Sequence, residues 1–480
     1  MSDSGYTDDL LEKELFGGDS DAADGGLGMD VDGILGMDTQ TDMELEPMND
    51  LGLGLSTDTG TPAKADEEAQ PPPDASAAET KKPALAAPAI ADLDIAWDTP
   101  PGSITMLDKP ARARQEVDPK LKDCAMYDIV PTMAFLNAYQ MYAVSATADM
   151  RWMFTGGEDG YIKKWDVYGT LNRKLMLTQG QRHSMVDSVV KNGVLASYWD
   201  HSDVADEQGT EILSPVYSLA VHSQAMWLVS GMKSGNIGLW TVRHDEGRRV
   251  VLLKKHKKPV SVLRVSPDEH GMVSGSWDRA ALYWDLDLGR VSRGFAGHVS
   301  QISAIEFQPQ PGGNLLTTAS IDGQCLLWDV RRPQPLERFV PAHRTPPWAT
   351  SCCWSLDGSK LYIGRRNNTV DEYSLGDSRP VRTLRFPMNS GPVTALAMMP
   401  NGRSLVCAST DNVRIWDLEH SPETRGSVPF QIVPGHHGGC ISGILVSEDA
   451  RCMVTSSGNR GWEGGSTNVC LGYEIAPGAA

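Results

Sequence analysis

From Tyr127 onward the chain consists of short runs of alternating apolar and polar residues, separated by Gly, Asp, Asn and Ser. That is the pattern of half-buried strands and tight turns, not of helices. The clearest unit predicts one strand over Ile302–Phe307, a second over Leu315–Ser320 and a third over residues 324–328, with Asp322-Gly323 turning the chain between the last two. An aromatic residue ends the third strand of every unit, at Trp165, Trp240, Trp284, Trp328, Tyr373, Trp416 and Tyr473, with successive gaps of 75, 44, 44, 45, 43 and 57. A spacing near 44 suits four strands per unit, and seven such units close into a ring without open sheet edges. The two long gaps read as insertions: residues 178–213 in the first, and the Gly-rich GNRGWEGGSTN in the last.

The last unit offers only three strands, in CISGILV, RCMVTSS and NVCLGYEI, while YDIVPTMAF precedes the first unit with no repeat of its own. Pairing the two removes an exposed edge and ties both ends into one cooperative body. The expected fold is therefore all-β, a seven-bladed propeller over residues 125–476 closed by an N-terminal strand.

Polar residues recur with the strands. His298, Ser320, Asp322 and Trp328 suggest a hydrogen-bonded set, and His256, Ser276, Asp278 and Trp284 repeat it. Elsewhere the Ser position becomes Gly157, Met232 or Arg365, and the turn Asp becomes Ser234 or Asn367. His, Ser and Asp are also the residue types of a hydrolase triad. A triad needs a strained nucleophile turn and an oxyanion hole, however, and this set recurs under a Trp cap with no G-x-S-x-G in the chain, so the structural reading is preferred. Residues 458–465 are rich in glycine but lack Gly-Lys-Ser/Thr, which argues against a phosphate cradle. The eight cysteines show no C-x-x-C spacing, which argues against zinc. No cofactor and no enzymatic activity are expected; the chain reads as a binding scaffold.

Charge divides the chain in two. Residues 1–110 hold 25 Asp and Glu against 5 Lys and Arg, a net of −20, and the remainder nets +1. With three aromatics and the run AQPPPDASAAETKKPALAAPA, residues 1–120 are expected to form a disordered acidic tail. Within it, DDLLEKELFG and the acidic-apolar alternation of GGLGMDVDGILGMD leave open either a docking segment or a purely solvating one. The acidic N-terminus and the lack of any run of 18 apolar residues predict neither secretion nor a membrane span.

Binding is expected where turns display side chains. The residues just before the second turn are Glu158, Lys233, Trp277, Ile321, Arg366 and Thr410, among which Trp277 and Arg366 are interface-prone types; Arg365, next to Arg366, is a further candidate. A basic run, Arg248-Arg249 and then Lys254, Lys255, Lys257 and Lys258, joins two units and could meet nucleic acid or an acidic partner, or fold back on the chain's own acidic tail. The near-neutral charge of the repeats argues against direct nucleic-acid binding.

The repeats and their polar sets resemble WD-repeat propellers. The stretch from YDIVPTMAF through YIKKWDVYGT to ASYWDHSD is similar, more specifically, to the WD-repeat, suppressor-of-Ty-class subunits of the SAGA transcriptional coactivator. The resemblance covers about residues 120–480, and the tail only in character. It implies a nuclear, non-enzymatic adaptor that contacts the TATA-binding protein and other subunits of a histone acetyltransferase complex. The alternative left open is a WD-repeat reader of histone peptides, or a substrate receptor of a ubiquitin ligase.

Overall fold

The computed structural model describes residues 117–478 except 174, 205–209, 311–312, 342–345, 411, 420–428 and 460–464. The expected disordered tail lies, but for its last four residues, outside them. The described strands form seven blades around a central channel, an all-β WD-type propeller. The first strands are Met141–Ala146, Ser218–Val221, Val260–Val265, Ile302–Phe307, Ala349–Trp354, Ala395–Met398 and Ile441–Val446, and they line the channel.

Burial follows from position in the blade. Second strands such as Gly271–Ser276 and Cys452–Ser457 are buried at every residue, because a neighbouring blade covers each of their faces. Small residues fill them for the same reason: a methyl group at Gly275 would come within 2.7 Å of Ile302 and Ile305 of the next blade. Outer strands alternate instead; Arg290–Ala296 exposes every second residue to solvent.

The ring closes through Tyr127–Leu136, which runs antiparallel to Val469–Pro477 from Tyr127↔Pro477 to Leu136↔Val469. Its Pro131 sits at the register shift, where a missing N–H costs the ladder least. Lys191–Asn192 adds a short parallel fifth strand to this last blade. Residues 178–213 are therefore not one insertion. Their middle, Val194–Asp200, is the outer strand of the first blade, paired with Tyr161–Asp166. The added material lies on either side: two short helices, Val167–Asn172 and Gln179–Arg182, before it, and a hairpin of Ser202–Val204 with Glu211–Leu213 after it. Alternation within VLASYWD is what a strand in this place requires, and the long aromatic gap concealed it.

A polar seam joins neighbouring blades at the channel wall. Most first strands carry a bulge after their first residue, which turns the next side chain toward the following blade. At that place Ser261 Oγ donates to the carbonyl of Ile302 (2.6 Å), Ser303 to Ala349 (2.6 Å), and Ser442, across the closure, to Met141 (2.7 Å). Ser218 makes the same bond to Val260 at 2.7 Å.

Candidate functional site

The polar sets lie inside the blades, one step from where the sequence pattern put them. Trp328 Nε1–H donates to Thr318 Oγ1 at 2.8 Å, that hydroxyl lies 2.7 Å from His298 Nε2, and His298 Nδ1 is 3.2 Å from Asp322 Oδ2. In the preceding blade the members are Trp284, Ser274, His256 and Asp278. Ser320 and Ser276 are excluded from these chains; each accepts the backbone N–H of the turn Asp instead. The cause is strand geometry. Trp328 stands opposite Leu316, so Thr318 is one diagonal step away, whereas Ser320 is four residues beyond Leu316, about 13 Å along the strand.

The same geometry yields partners that the sequence reading missed. Trp240 donates to Ser230, which also meets His201, and His436 meets Thr455. Trp165 donates to Thr155. The available signal was a hydroxyl ten residues before the Trp, as in Thr155, Ser230, Ser274 and Thr318. Where Val406 takes that place, the Trp416 indole N–H is buried without a partner among the described residues.

Electrostatics agree with a locking role. Burial pushes the Asp322 carboxyl up, but hydrogen bonds from His298 and from the Val299 and Gln324 N–H groups, with the charge of His298, hold it below the usual range. Asp278 is held down in the same way by His256 and the Lys257 and Ala280 N–H groups, against the same burial. With His298 and Asp322 side chains 2% and 8% exposed and bonded to each other, the set presents no face to a substrate.

The residues before the second turn do share one face. Glu158, Trp277, Ile321 and Arg366 each donate their backbone N–H to a carbonyl leading into the first strand of the same blade, from Gln140, Pro259, Gln301 and Trp348. Lys254 pairs beside that turn with Asn236, and Lys233, Lys254, Lys255, Lys257 and Lys258 are exposed. Arg365 does not belong there. It is wholly buried, with Nε 2.9 Å from Asp371 Oδ2 and Nη2 3.1 Å from the Tyr373 hydroxyl, because it is the inward-facing end of its strand and fills the space under the Tyr that replaces Trp in this blade. Its neighbour Arg366 is exposed and stacks over Trp348 at 4.1 Å.

Aromatic side chains cross the first three blades on this face. Tyr142 stacks on Tyr217 (centroids 5.8 Å apart), and Tyr217 meets the edge of Trp277 (5.4 Å). Tyr142, Trp348 and Arg366 also border the central channel, a cavity of about 210 Å³. Trp277 is half-buried and walls a second recess with Lys257, Lys258, Arg279, Val299 and Gln301. Arg279 holds a left-handed backbone, φ 76°, where the matching turns carry Gly160, Gly235, Gly323 and Asn368. For a residue with a Cβ that conformation costs about 1 kcal/mol.

A family model described as the SPT8 β-propeller matches residues 127–314 and 310–476, which together cover all seven blades. The chain is 36% identical over 438 residues to the SAGA complex subunit Spt8 of Schizosaccharomyces pombe, covering 75% of this chain and 82% of that protein. It is 31% identical over 436 residues to the SAGA complex subunit SPT8 of Saccharomyces cerevisiae, covering 73% and 72%. A guanine nucleotide-binding protein β subunit of Solanum tuberosum is 33% identical over 150 residues, 30% of this chain and 39% of that protein. The match over every blade, with two relatives aligned along most of their length, shows that the chain belongs to the SPT8 β-propeller family.

Proposed function

We propose that this protein is a non-enzymatic scaffold subunit of a SAGA-type transcription coactivator, acts in the nucleus, and binds the TATA-binding protein to regulate RNA polymerase II transcription. The observation that carries the reading is the likeness to two relatives named as SAGA complex subunits, which spans about three-quarters of this chain. Charge supplies a physical route. The TATA-binding protein grips the minor groove with a basic surface, and residues 1–110, at net −20, offer a mimic of that anionic ligand while the propeller fixes orientation.

Affinity purification of the full chain from nuclear extract tests the reading. Acetyltransferase-module subunits and the TATA-binding protein are expected; ubiquitin-ligase subunits without acetyltransferase subunits would replace it with the substrate-receptor alternative. Titration of purified TATA-binding protein against salt then tests the tail. Removing residues 1–110 should weaken binding and flatten its salt dependence, and an unchanged affinity and slope would assign the contact to the propeller alone.

A further inference from the structure

We propose that the recess between the third and fourth blades is a docking site for an acidic protein segment with interspersed apolar residues. This partner differs from the TATA-binding protein, whose basic surface suits the tail, so the two readings stand or fall separately.

The first argument is charge. Lys257 and Lys258 form one wall and Arg279 another, and among the described residues their charged side-chain groups make no ion pair or hydrogen bond; Lys257 and Lys258 are bonded through their backbone alone. The one carboxylate in the recess, Asp278, is already taken up by His256 and by the Lys257 and Ala280 N–H groups. The field in the recess is therefore cationic, and exposed Lys233, Lys254 and Lys255 extend it over the second blade.

Apolar surface is the second. The series Tyr142, Tyr217, Trp277 ends in the recess, beside Val299, which is 70% exposed. Successive centroids are 5.8 and 5.4 Å apart. An extended peptide places alternate side chains on one side about 7 Å apart, so apolar residues at alternate positions can follow this track while acidic ones between them face the lysines. The Trp277 indole N–H is buried with no partner among the described residues.

The third is strain. At the turn position of Arg279, the first, second and fourth blades use glycine at φ 72°, 100° and 81°. A long cationic side chain is held there against the backbone preference, and strain of this kind concentrates where a side chain is needed for binding. A nucleic acid fits less well, because residues 111–480 net only +1 and a phosphate backbone draws on a wider basic footprint.

The test uses the full chain and a fluorescein-labelled 12-residue peptide alternating Asp with Leu, followed by anisotropy at low and physiological salt. Saturable binding that weakens with salt is expected. K257E/K258E should reduce affinity about tenfold. R279G should reduce it at least about threefold while leaving the melting temperature equal or higher, since glycine relieves the strain. That pairing of weaker binding with undiminished stability separates a docking role from a structural one. The proposal is overturned if the peptide does not bind at low salt, if R279G and K257E/K258E bind it as the parent does, or if a 12-nucleotide single strand binds more tightly and loses affinity with the same substitutions.

Discussion

The hydroxyl of Thr318 lies 2.7 Å from His298 Nε2, twenty residues away in the chain. Since the Trp328 indole can only donate and the Asp322 carboxylate can only accept, Trp328 N–H donates to Thr318 Oγ1 and His298 Nδ1–H to Asp322, with the Thr318 hydroxyl and His298 Nε2 joining the two. T318A leaves a buried indole N–H and an imidazole nitrogen unpartnered and should cost about 2–3 kcal/mol. S320A, which loses one bond from a turn N–H, should cost about 1 kcal/mol or less. Urea denaturation of both variants is the measurement, and equal losses would contradict the assignment of Thr318 as the centre of the set.

Two consecutive arginines should behave oppositely. Arg365 is buried against Asp371 and Tyr373, so R365A strands a buried carboxylate and should cost about 3–5 kcal/mol. Arg366 is exposed on Trp348, and R366A should change stability by about 0.5 kcal/mol or less. Thermal unfolding of the pair distinguishes them.

Stability should fall as pH drops from about 6.5 toward 4. Burial pushes the His201 and His436 imidazoles down to about 4, against partial opposition from hydrogen bonds to Ser214 and Thr455 respectively. In the unfolded chain both take up a proton near 6.5. Between these values the unfolded state binds more protons than the folded one, so folding weakens with acid. Below about 4 the depressed carboxyls of Asp278 and Asp322 add to the loss, since their stabilisation needs the ionised form. Urea midpoints at pH 7 and pH 5 check the first window: the parent should drop markedly, and H201Q/H436Q should flatten the difference.

Closure of the ring makes its first strand a keystone. Phe135 is fully buried and meets the edge of Trp165 in the first blade with centroids 5.5 Å apart, so F135A should cost about 3–5 kcal/mol. Deleting residues 125–138 should unfold the whole propeller, because it exposes the edge of Val469–Pro477 and releases both ends of the ring. A calorimetric trace with an unchanged transition would show that the blades do not depend on the clasp.

The sequence alone determined the architecture. Strand alternation, seven aromatic positions and a recurring Asp-Gly turn follow from local periodicity, and each repetition reinforces the others. It also determined the segregation of charge. What it left undecided is set by registers and neighbours. Which hydroxyl meets the indole depends on a diagonal across the ladder, and Thr318 and Ser320 differ by two residues on one face of one strand. Whether Arg365 or Arg366 reaches solvent depends on which way the strand end faces once Tyr373 has replaced Trp. The outer strand inside residues 178–213, the seam hydroxyls of Ser261, Ser303 and Ser442, and the assembly of Lys257, Lys258, Trp277 and Arg279 around one recess all join residues distant in the chain or in different blades. Periodicity fixes which residues face inward, and only the packing of one blade on the next decides what they touch.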